Sequence, residues 1–585
     1  MKFNGNTIPI FYACDNNFVK YTFVSIKSLI ENSSKQYNYS IYILNSNVND
    51  ETKEQAKQFN CENFNIEFID VEKELENISK DLPIRDYYSI TTYYRFLIAE
   101  LFPQYDKAIY IDSDTIVLGD VAQLFNYELN ENLVGACHDQ AVVQTEVFGN
   151  YVEKVLDVDR NSYFNAGILL LNTKMFRLEK ILNKFIDLLN IYTFSVAQDQ
   201  DYLNVLCKDR VLFLEQKWNT EVYGNIFVKE EEIKILHYIM TSKPWHYDDC
   251  RLKEYFWKYA KMTISYNEIL SELNSYTEEQ KQKDKEGCDK LVLLAKNESL
   301  RNDTYKNLTS DKNPYRVNVL KKIRNLELEK KFDVDVEDDP QTIVLKSDKV
   351  DYLNEKIFSK IFTKIANKSA TKFFEKKISK GELIIENVIG LENYRAVKGG
   401  AIITCNHFNP NDNYAIWRAI KKEFPKNKRL YKIIREGNYT NFKGLYGFFF
   451  RHCNTLPLSS DIKTMQKFLK SVSVLLNRGE KILIYPEQAM WWNYRKPRPM
   501  KEGAFKIASM NNVPIIPTFI TMRDTNKLDD DGFNIQAYTI HFLPAIYPNE
   551  SVSTKENAKN LRSLNFELWK NVYEKVYQVP LEYGV

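Results

Sequence analysis

Apolar and polar positions change rhythm three times along the chain, and each rhythm predicts a different kind of structure. Up to about residue 250, short apolar runs at 8–13, 39–44 and 65–69 alternate with a helical pattern at 19–31. Runs of that length read as strands, and strands alternating with helices predict an α/β sheet. From about 255 to 335 the pattern is polar, Lys/Glu-rich and helical. It closes on Asp333-Val334-Asp335-Val336-Glu337-Asp338-Asp339-Pro340, which is poor core material and reads as a boundary. Strand-like runs return at 401–404, 481–487 and 513–517. The chain is therefore expected to divide into an α/β domain at 1–255, a helical, charged linker at 256–342 and a second α/β domain at 343–585.

One stretch of the last region has its own pattern. Between 355 and 378, Ile357, Phe358, Ile361, Phe362, Ile365, Phe373 and Phe374 recur at helical spacing, with lysines at 356, 360, 364, 368, 372, 376 and 377. A basic amphipathic helix of this kind either lies on an anionic membrane surface or docks its apolar stripe on the following domain.

Composition narrows the function classes. At 585 residues with 44% hydrophobic content the chain is long enough for two or more cores. Net charge is only +2, so there is no global polyanion-binding signature and nucleic acid is excluded as the expected substrate. The eight cysteines are scattered without paired ligand spacing, which argues against a disulfide framework or a zinc cage and for a reducing compartment. No stretch approaches a membrane-spanning length. The expected location is the cytoplasm, with peripheral contact at the inner face of the membrane.

The strongest chemical signal lies at 107–118, Lys-Ala-Ile-Tyr-Ile-Asp-Ser-Asp-Thr-Ile-Val-Leu. It reads as a buried strand ending in Asp112 and Asp114, which brings hard oxygen ligands to the carboxyl edge of a sheet, where open α/β folds bind their ligands. That is the outline of a metal–diphosphate site. Around it, in order, come Thr91-Thr92-Tyr93-Tyr94-Arg95-Phe96, Phe164-Asn165-Ala166-Gly167 with the apolar run to Asn172, Gln198-Asp199-Gln200-Asp201, His237-Tyr238 and Lys243-Pro244-Trp245-His246.

In this order the motifs resemble family 8 of the retaining, nucleotide-sugar-dependent glycosyltransferases, over about the first 250 residues. The resemblance implies a GT-A (Rossmann-like) domain transferring a hexose, glucose or galactose, from a UDP-sugar to a glycolipid or surface-polysaccharide precursor. It implies metal ligation by Asp112, Asp114 and His237, and an imidazole beside two carboxylates suits Mn²⁺, with Mg²⁺ as the alternative. Lys243 is the implied diphosphate clamp, Asp15 and Asn17 the uridine and ribose contacts, Arg95 the bridge between phosphate and sugar, and Asn165 and Ala166 donor-sugar positions. Asp199 and Gln200 are the implied catalytic residues. Either Asp199 is a covalent nucleophile, or the leaving phosphate deprotonates the acceptor and Gln200 positions it.

In the second half, Thr404-Cys405-Asn406-His407 with Asp412 five positions on, a strand ending in Tyr485-Pro486-Glu487, and Val513-Pro514-Ile515-Ile516-Pro517 resemble the lysophospholipid and glycerol-phosphate acyltransferase superfamily over about 385–525. There His407 would deprotonate an attacking hydroxyl with Asp412 fixing its tautomer. The acyl donor would be acyl-CoA or acyl-carrier protein, and no acyl-enzyme would form. Glu487 would bind the acyl acceptor. Two departures stand out: Gln488-Ala489-Met490 replaces the usual Gly-Thr-Arg, and 455–460 contains no Arg. Either Arg495, Lys496 and Arg498 take over phosphate recognition, or the acceptor is a sugar hydroxyl without that phosphate. The reading is a bifunctional transferase. The rival is a glycosyltransferase whose C-terminal half is a non-catalytic, lipid-binding module.

Overall fold

The structure is a computed structural model that describes residues 7–46, 48–72, 90–338, 342–425 and 428–584. Asp339 and Pro340, the end of the acidic run, lie outside the described residues. The chain forms two compact units, Met1–Ser299 with Thr304–Lys306, and Leu300–Asp303 with Asn307–Val585.

The first unit is built on β1 (Thr7–Ala13), β2 (Asn38–Asn45), β3 (Phe64–Asp70), β4 (Ala108–Ile111), β6 (Val134–Ala136), β7 (Ile168–Leu171) and β8 (Val211–Phe213), in the order β3-β2-β1-β4-β7-β6-β8. The predicted strands are present to within about one residue at each end, because runs such as Ile41–Leu44 are buried. Helix α1 (Val19–Asn32) follows β1, which pairs in parallel with both β2 and β4. The chain order therefore reverses at β1, and the crevice beyond the carboxyl ends of β1 and β4 is a topological switch point, the usual place for a nucleotide. Residues 107–118 are two strands rather than one. After β4 the Asp-Ser-Asp turn redirects the chain into β5 (Thr115–Val117), part of a small sheet ordered β5-β10-β9 with β9 (Thr220–Glu221) and β10 (Ile235–His237). Antiparallel pairing sets His237 opposite Thr115, next to Asp114.

The described part of the 256–342 stretch is divided between the two units. Helix α2 (Asp199–Leu206) belongs to the first unit, and so do α3 (Lys253–Ala260) and α4 (Glu278–Ser299). Phe256, Tyr259 and Ile269 join a core with Tyr21 and Trp245. Helix α5 (Pro314–Leu328) belongs to the second unit, where Val319, Leu320 and Ile323 pack with Trp491, Trp492 and Phe533.

The second unit carries a sheet ordered β11-β17-β16-β12-β15-β13-β14, from β11 (Ile384–Ile389), β12 (Ala401–Thr404), β13 (Leu430–Ile434), β14 (Thr455–Pro457), β15 (Lys481–Ile484), β16 (Ile515–Leu528) and β17 (Asn534–Phe542). Strand β16 runs well beyond the predicted 513–517 because its far half pairs antiparallel with β17. The basic segment forms α6 (Ile357–Lys380), and α7 (Asp412–Ile420) and α8 (Gly444–His452) follow. Among the described residues no helix is long and apolar enough to cross a membrane.

Candidate active sites

In the first unit a cavity of about 440 Å³ opens at the switch point, within the size range of small-molecule sites. Asp15, Arg95, Asp112, Asp114, Asn165, Ala166, Asp199, Gln200, His237 and Lys243 all line it. Asn17 does not; it is exposed, and its backbone N–H donates to Asp15 Oδ1 at 2.9 Å. Asp15 also accepts from Phe18 N, so its carboxylate shapes the turn into α1 while facing the cavity.

Asp112, Asp114 and His237 offer ligand atoms that all lie within 4.8 Å of one another. His237 Nε2 is 3.2 Å from Asp114 Oδ1 and 4.0 Å from Asp112 Oδ2. Lys243 Nζ reaches Asp114 Oδ2 at 2.6 Å, and Arg95 Nη2 reaches Asp112 Oδ1 at 3.1 Å. Burial pushes the Asp112 carboxyl above its usual range in spite of Arg95. Burial acts on Asp114 in the same direction, yet Lys243 and His237 hold it below that range. Two carboxylates and an imidazole fit a borderline divalent ion.

The tautomer of His237 is fixed from a distance. Asp139, a buried acceptor-only group when ionised, takes Asn165 Nδ2 at 3.1 Å, which turns the Asn165 carbonyl toward Gly167 N and Asn219 Nδ2, at 2.9 and 2.8 Å. Asn219 must then present Oδ1 to His237 Nδ1, 3.0 Å away. Nδ1 carries the proton and Nε2 is left as the ligand nitrogen, the usual arrangement around a metal-binding histidine. A Cβ on Gly167 would lie 2.3 Å from His237 Cε1 and 2.8 Å from Asp112 Oδ2, so only glycine fits beside the cluster.

Arg95 ties the rest together. Its guanidinium is buried over the Tyr110 ring, donates to the Ala166 carbonyl and pairs through Nε with Asp199 at 3.2 Å. Burial raises Asp199 to about 6, with Arg95 pulling the other way. Gln200 accepts from Ala166 N at 2.9 Å and donates to Asp139 Oδ2 at 2.9 Å. Asp139 and Asn219 escaped sequence reasoning, since neither stands in a spacing that marks it, and Gly167 stood in a quoted motif without a role. Only the tertiary contacts reveal them.

In the second unit β12 delivers His407 and the first turn of α7 delivers Asp412. His407 Nδ1 is 2.7 Å from Asp412 Oδ2, while Tyr485 OH donates to Oδ1 at 2.6 Å and its ring stacks on the imidazole at 4.1 Å. Asp412 is fully buried and the His407 side chain is 22% exposed. With Nδ1 committed, Nε2 is the nitrogen left to accept a hydroxyl proton.

The residues expected to bind the acyl acceptor are engaged with partners inside the unit. Glu487 is buried and accepts from His407 N at 3.0 Å and Arg498 N at 2.7 Å. Arg498, 1% exposed, pairs with Glu487 Oε2 at 3.0 Å and donates to the Phe332 and His407 carbonyls. Arg495 is committed to Asp524 and Gln536, and Lys496 to Glu327. Glu487 and Arg498 brace the segment that carries His407, whereas Arg495 and Lys496 are engaged with carboxylates elsewhere in the unit. Gln488, where the superfamily pattern has glycine, sits at φ 65°, the left-handed region that glycine favours.

Replacing Asn219 with Ala is expected to weaken divalent-metal affinity by about 10–100-fold, because the imidazole loses the acceptor that fixes its tautomer. A Mn²⁺ titration followed by electron paramagnetic resonance checks this; affinity unchanged from the wild type would contradict it.

Comparison with known proteins assigns each half of the chain a family. Residues 9–249 match the family described as "Glycosyl transferase family 8", and residues 386–521 match "Acyltransferase". A Haemophilus influenzae protein that bears a general glycosyltransferase name is 33% identical over 256 residues, 41% of this chain and 74% of that protein. Glycosyltransferase GlyE of Streptococcus pneumoniae is 30% identical over 287 residues, 46% of this chain and 64% of that protein. The lipopolysaccharide 1,3-galactosyltransferase of Salmonella typhimurium is 28% identical over 261 residues, 42% of this chain and 74% of that protein. The chain thus belongs to glycosyltransferase family 8, and it joins a GT-A-type catalytic domain to an acyltransferase domain in a single polypeptide.

Proposed function

We propose that the first unit transfers glucose or galactose from a UDP-sugar, with retention of configuration and with Mn²⁺, to a glycolipid or surface-polysaccharide precursor. The second unit moves an acyl group from acyl-CoA or acyl-carrier protein to a lipid or sugar hydroxyl. The observation that carries the first part is the Asp112–Asp114–His237 cluster flanked by Lys243 and Arg95. A lipopolysaccharide galactosyltransferase and a lipopolysaccharide glucosyltransferase among the relatives support the sugar and acceptor classes.

A divalent ion held by Asp112, Asp114 and His237 would neutralise the departing diphosphate. Lys243 adds a point charge on the phosphates. Asp199 is buried and pinned to Arg95, which favours transfer in which the leaving phosphate takes the acceptor proton, while Arg95–Asp199 and the Gln200 amide stay fixed around the sugar. In the second unit His407 Nε2 removes the proton of the acceptor hydroxyl, which attacks the thioester carbonyl. The thiolate leaves, and the proton on His407 is available to it. Asp412 stabilises the imidazolium and keeps its orientation.

The two activities are expected to be separable. Asp114→Asn should abolish sugar transfer and leave acyl transfer, whereas His407→Ala should do the reverse, with general-base catalysis alone worth roughly 10²–10⁴-fold. Mass spectrometry of products from UDP-hexoses and acyl thioesters with glycolipid and lysophospholipid acceptors reads both. Sugar transfer by Asp114→Asn in excess chelator, or acyl transfer by His407→Ala, would contradict the assignments. If no pair of thioester and acceptor reacts, the second unit is a lipid-binding module.

The same reading places the protein in the cytoplasm against an anionic membrane. Helix α6 supports it by being divided in character. Its C-terminal half packs through Phe373 and Phe374, but Ile357 and Phe358 are 73% and 75% exposed, and Ile361, Phe362 and Ile365 are exposed beside Lys360, Lys364 and Lys368. Exposed apolar side chains among lysines match an anionic lipid surface, each lysine contributing about 1 kcal/mol. Charge reversal at Lys360, Lys364 and Lys368 should release the protein from phosphatidylserine vesicles in co-sedimentation; unchanged sedimentation would refute the membrane role of this helix.

A further inference from the structure

The family match ends at residue 249, yet the nucleotide-sugar cavity is closed partly by α4, which follows it. Asp284, Gly287, Cys288 and Leu291 line the cavity at spacings of three, four and seven, so one face of the helix looks into it. The opposite face, with Lys283, Lys285, Glu286, Asp289 and Lys290, is exposed. Two tyrosines fix the register of the helix. Tyr247 OH and Tyr276 OH each donate to Asp284 Oδ2 at 2.8 Å, and Cys288 Sγ lies 3.4 Å from Thr241 Oγ1. Thr241 and Tyr247 bracket Lys243, whose ammonium reaches Asp114. The helix is thereby tied to the same loop that carries the phosphate-side lysine.

Gly287 stands in the middle of a 22-residue helix, where glycine is disfavoured relative to alanine. Its neighbour on the same face is a small thiol. Together they make the least bulky part of the helix coincide with the cavity.

We propose that α4 is a specificity wall of the donor pocket, with Gly287 and Cys288 leaving the room that a bound nucleoside-diphosphate sugar occupies. This rests on the nucleotide-sugar reading of the first unit. Gly287 lines the cavity, so a side chain there would take up part of its room while favouring the helix.

The test uses the full-length protein. Thiol labelling with a maleimide has an internal control, because Cys61 is exposed, Cys288 is partly exposed and the other six cysteines are buried. UDP with Mn²⁺ far above the dissociation constant should slow labelling of Cys288 roughly tenfold or more, leaving Cys61 unchanged. Gly287→Ala should raise the thermal unfolding midpoint, since alanine favours the helix, and yet weaken UDP-hexose binding in calorimetry; Gly287→Leu should weaken it further. A midpoint that falls in Gly287→Ala would assign the glycine to close helix packing and overturn the proposal. So would undiminished UDP-hexose affinity in Gly287→Leu, or labelling of Cys288 at an equal rate with UDP bound. Absence of any UDP binding would overturn the proposal together with the nucleotide-sugar reading.

Discussion

A single buried guanidinium organises the first site. Arg95 is held on three sides, by Asp112 at the end of β4, by Asp199 at the start of α2 and by the Ala166 carbonyl just before β7. An arginine side chain out of water is stable only when its donors are satisfied and its charge is matched. Those three segments must therefore converge, and their convergence sets one wall of the cavity. Because Asp112 is already committed to Arg95 through Oδ1, its other oxygen faces His237. The carboxylate pair is thus oriented by the protein itself. The polar chain from Asp139 through Asn165 and Asn219 does the same for the imidazole, so each member of the cluster is positioned by a partner that does not itself belong to it.

The second site follows the same logic with the signs exchanged. There a buried carboxylate, Glu487, is the hub, taking the His407 and Arg498 amides and the Arg498 guanidinium. Removing one partner of such a pair strands the other charge, at a cost of roughly 3–5 kcal/mol. Glu487 and Arg498 hold the His407 loop in place. Tyr485 completes the arrangement, since it both stacks on the imidazole and occupies the second oxygen of Asp412.

Much of this was legible in the sequence where local pattern decides the outcome. β1–β3, β12 and β15 follow from apolar runs, and Asp112, Asp114, His407 and Asp412 follow from where those runs stop. What was not legible depends on tertiary partners. Arg495, Lys496 and Arg498 read as a free basic cluster because a sequence shows charge but not pairing; folded, each meets a carboxylate. The 256–342 stretch read as a linker because the exposed face of α4 is densely charged and masks the inner face with Leu291 and Ala295. Asn219 lies 18 positions from His237, and only the β9–β10 pairing brings the two together.

The central claim is that Asp112, Asp114 and His237 form a divalent-metal site that serves a diphosphate. Anomalous diffraction at the manganese edge, from crystals grown with Mn²⁺ and UDP, tests it most directly. The account predicts one strong peak bounded by the two carboxylates and His237 Nε2, with the diphosphate between that peak and Lys243. A peak located elsewhere, or UDP bound with no peak at the cluster, would contradict it.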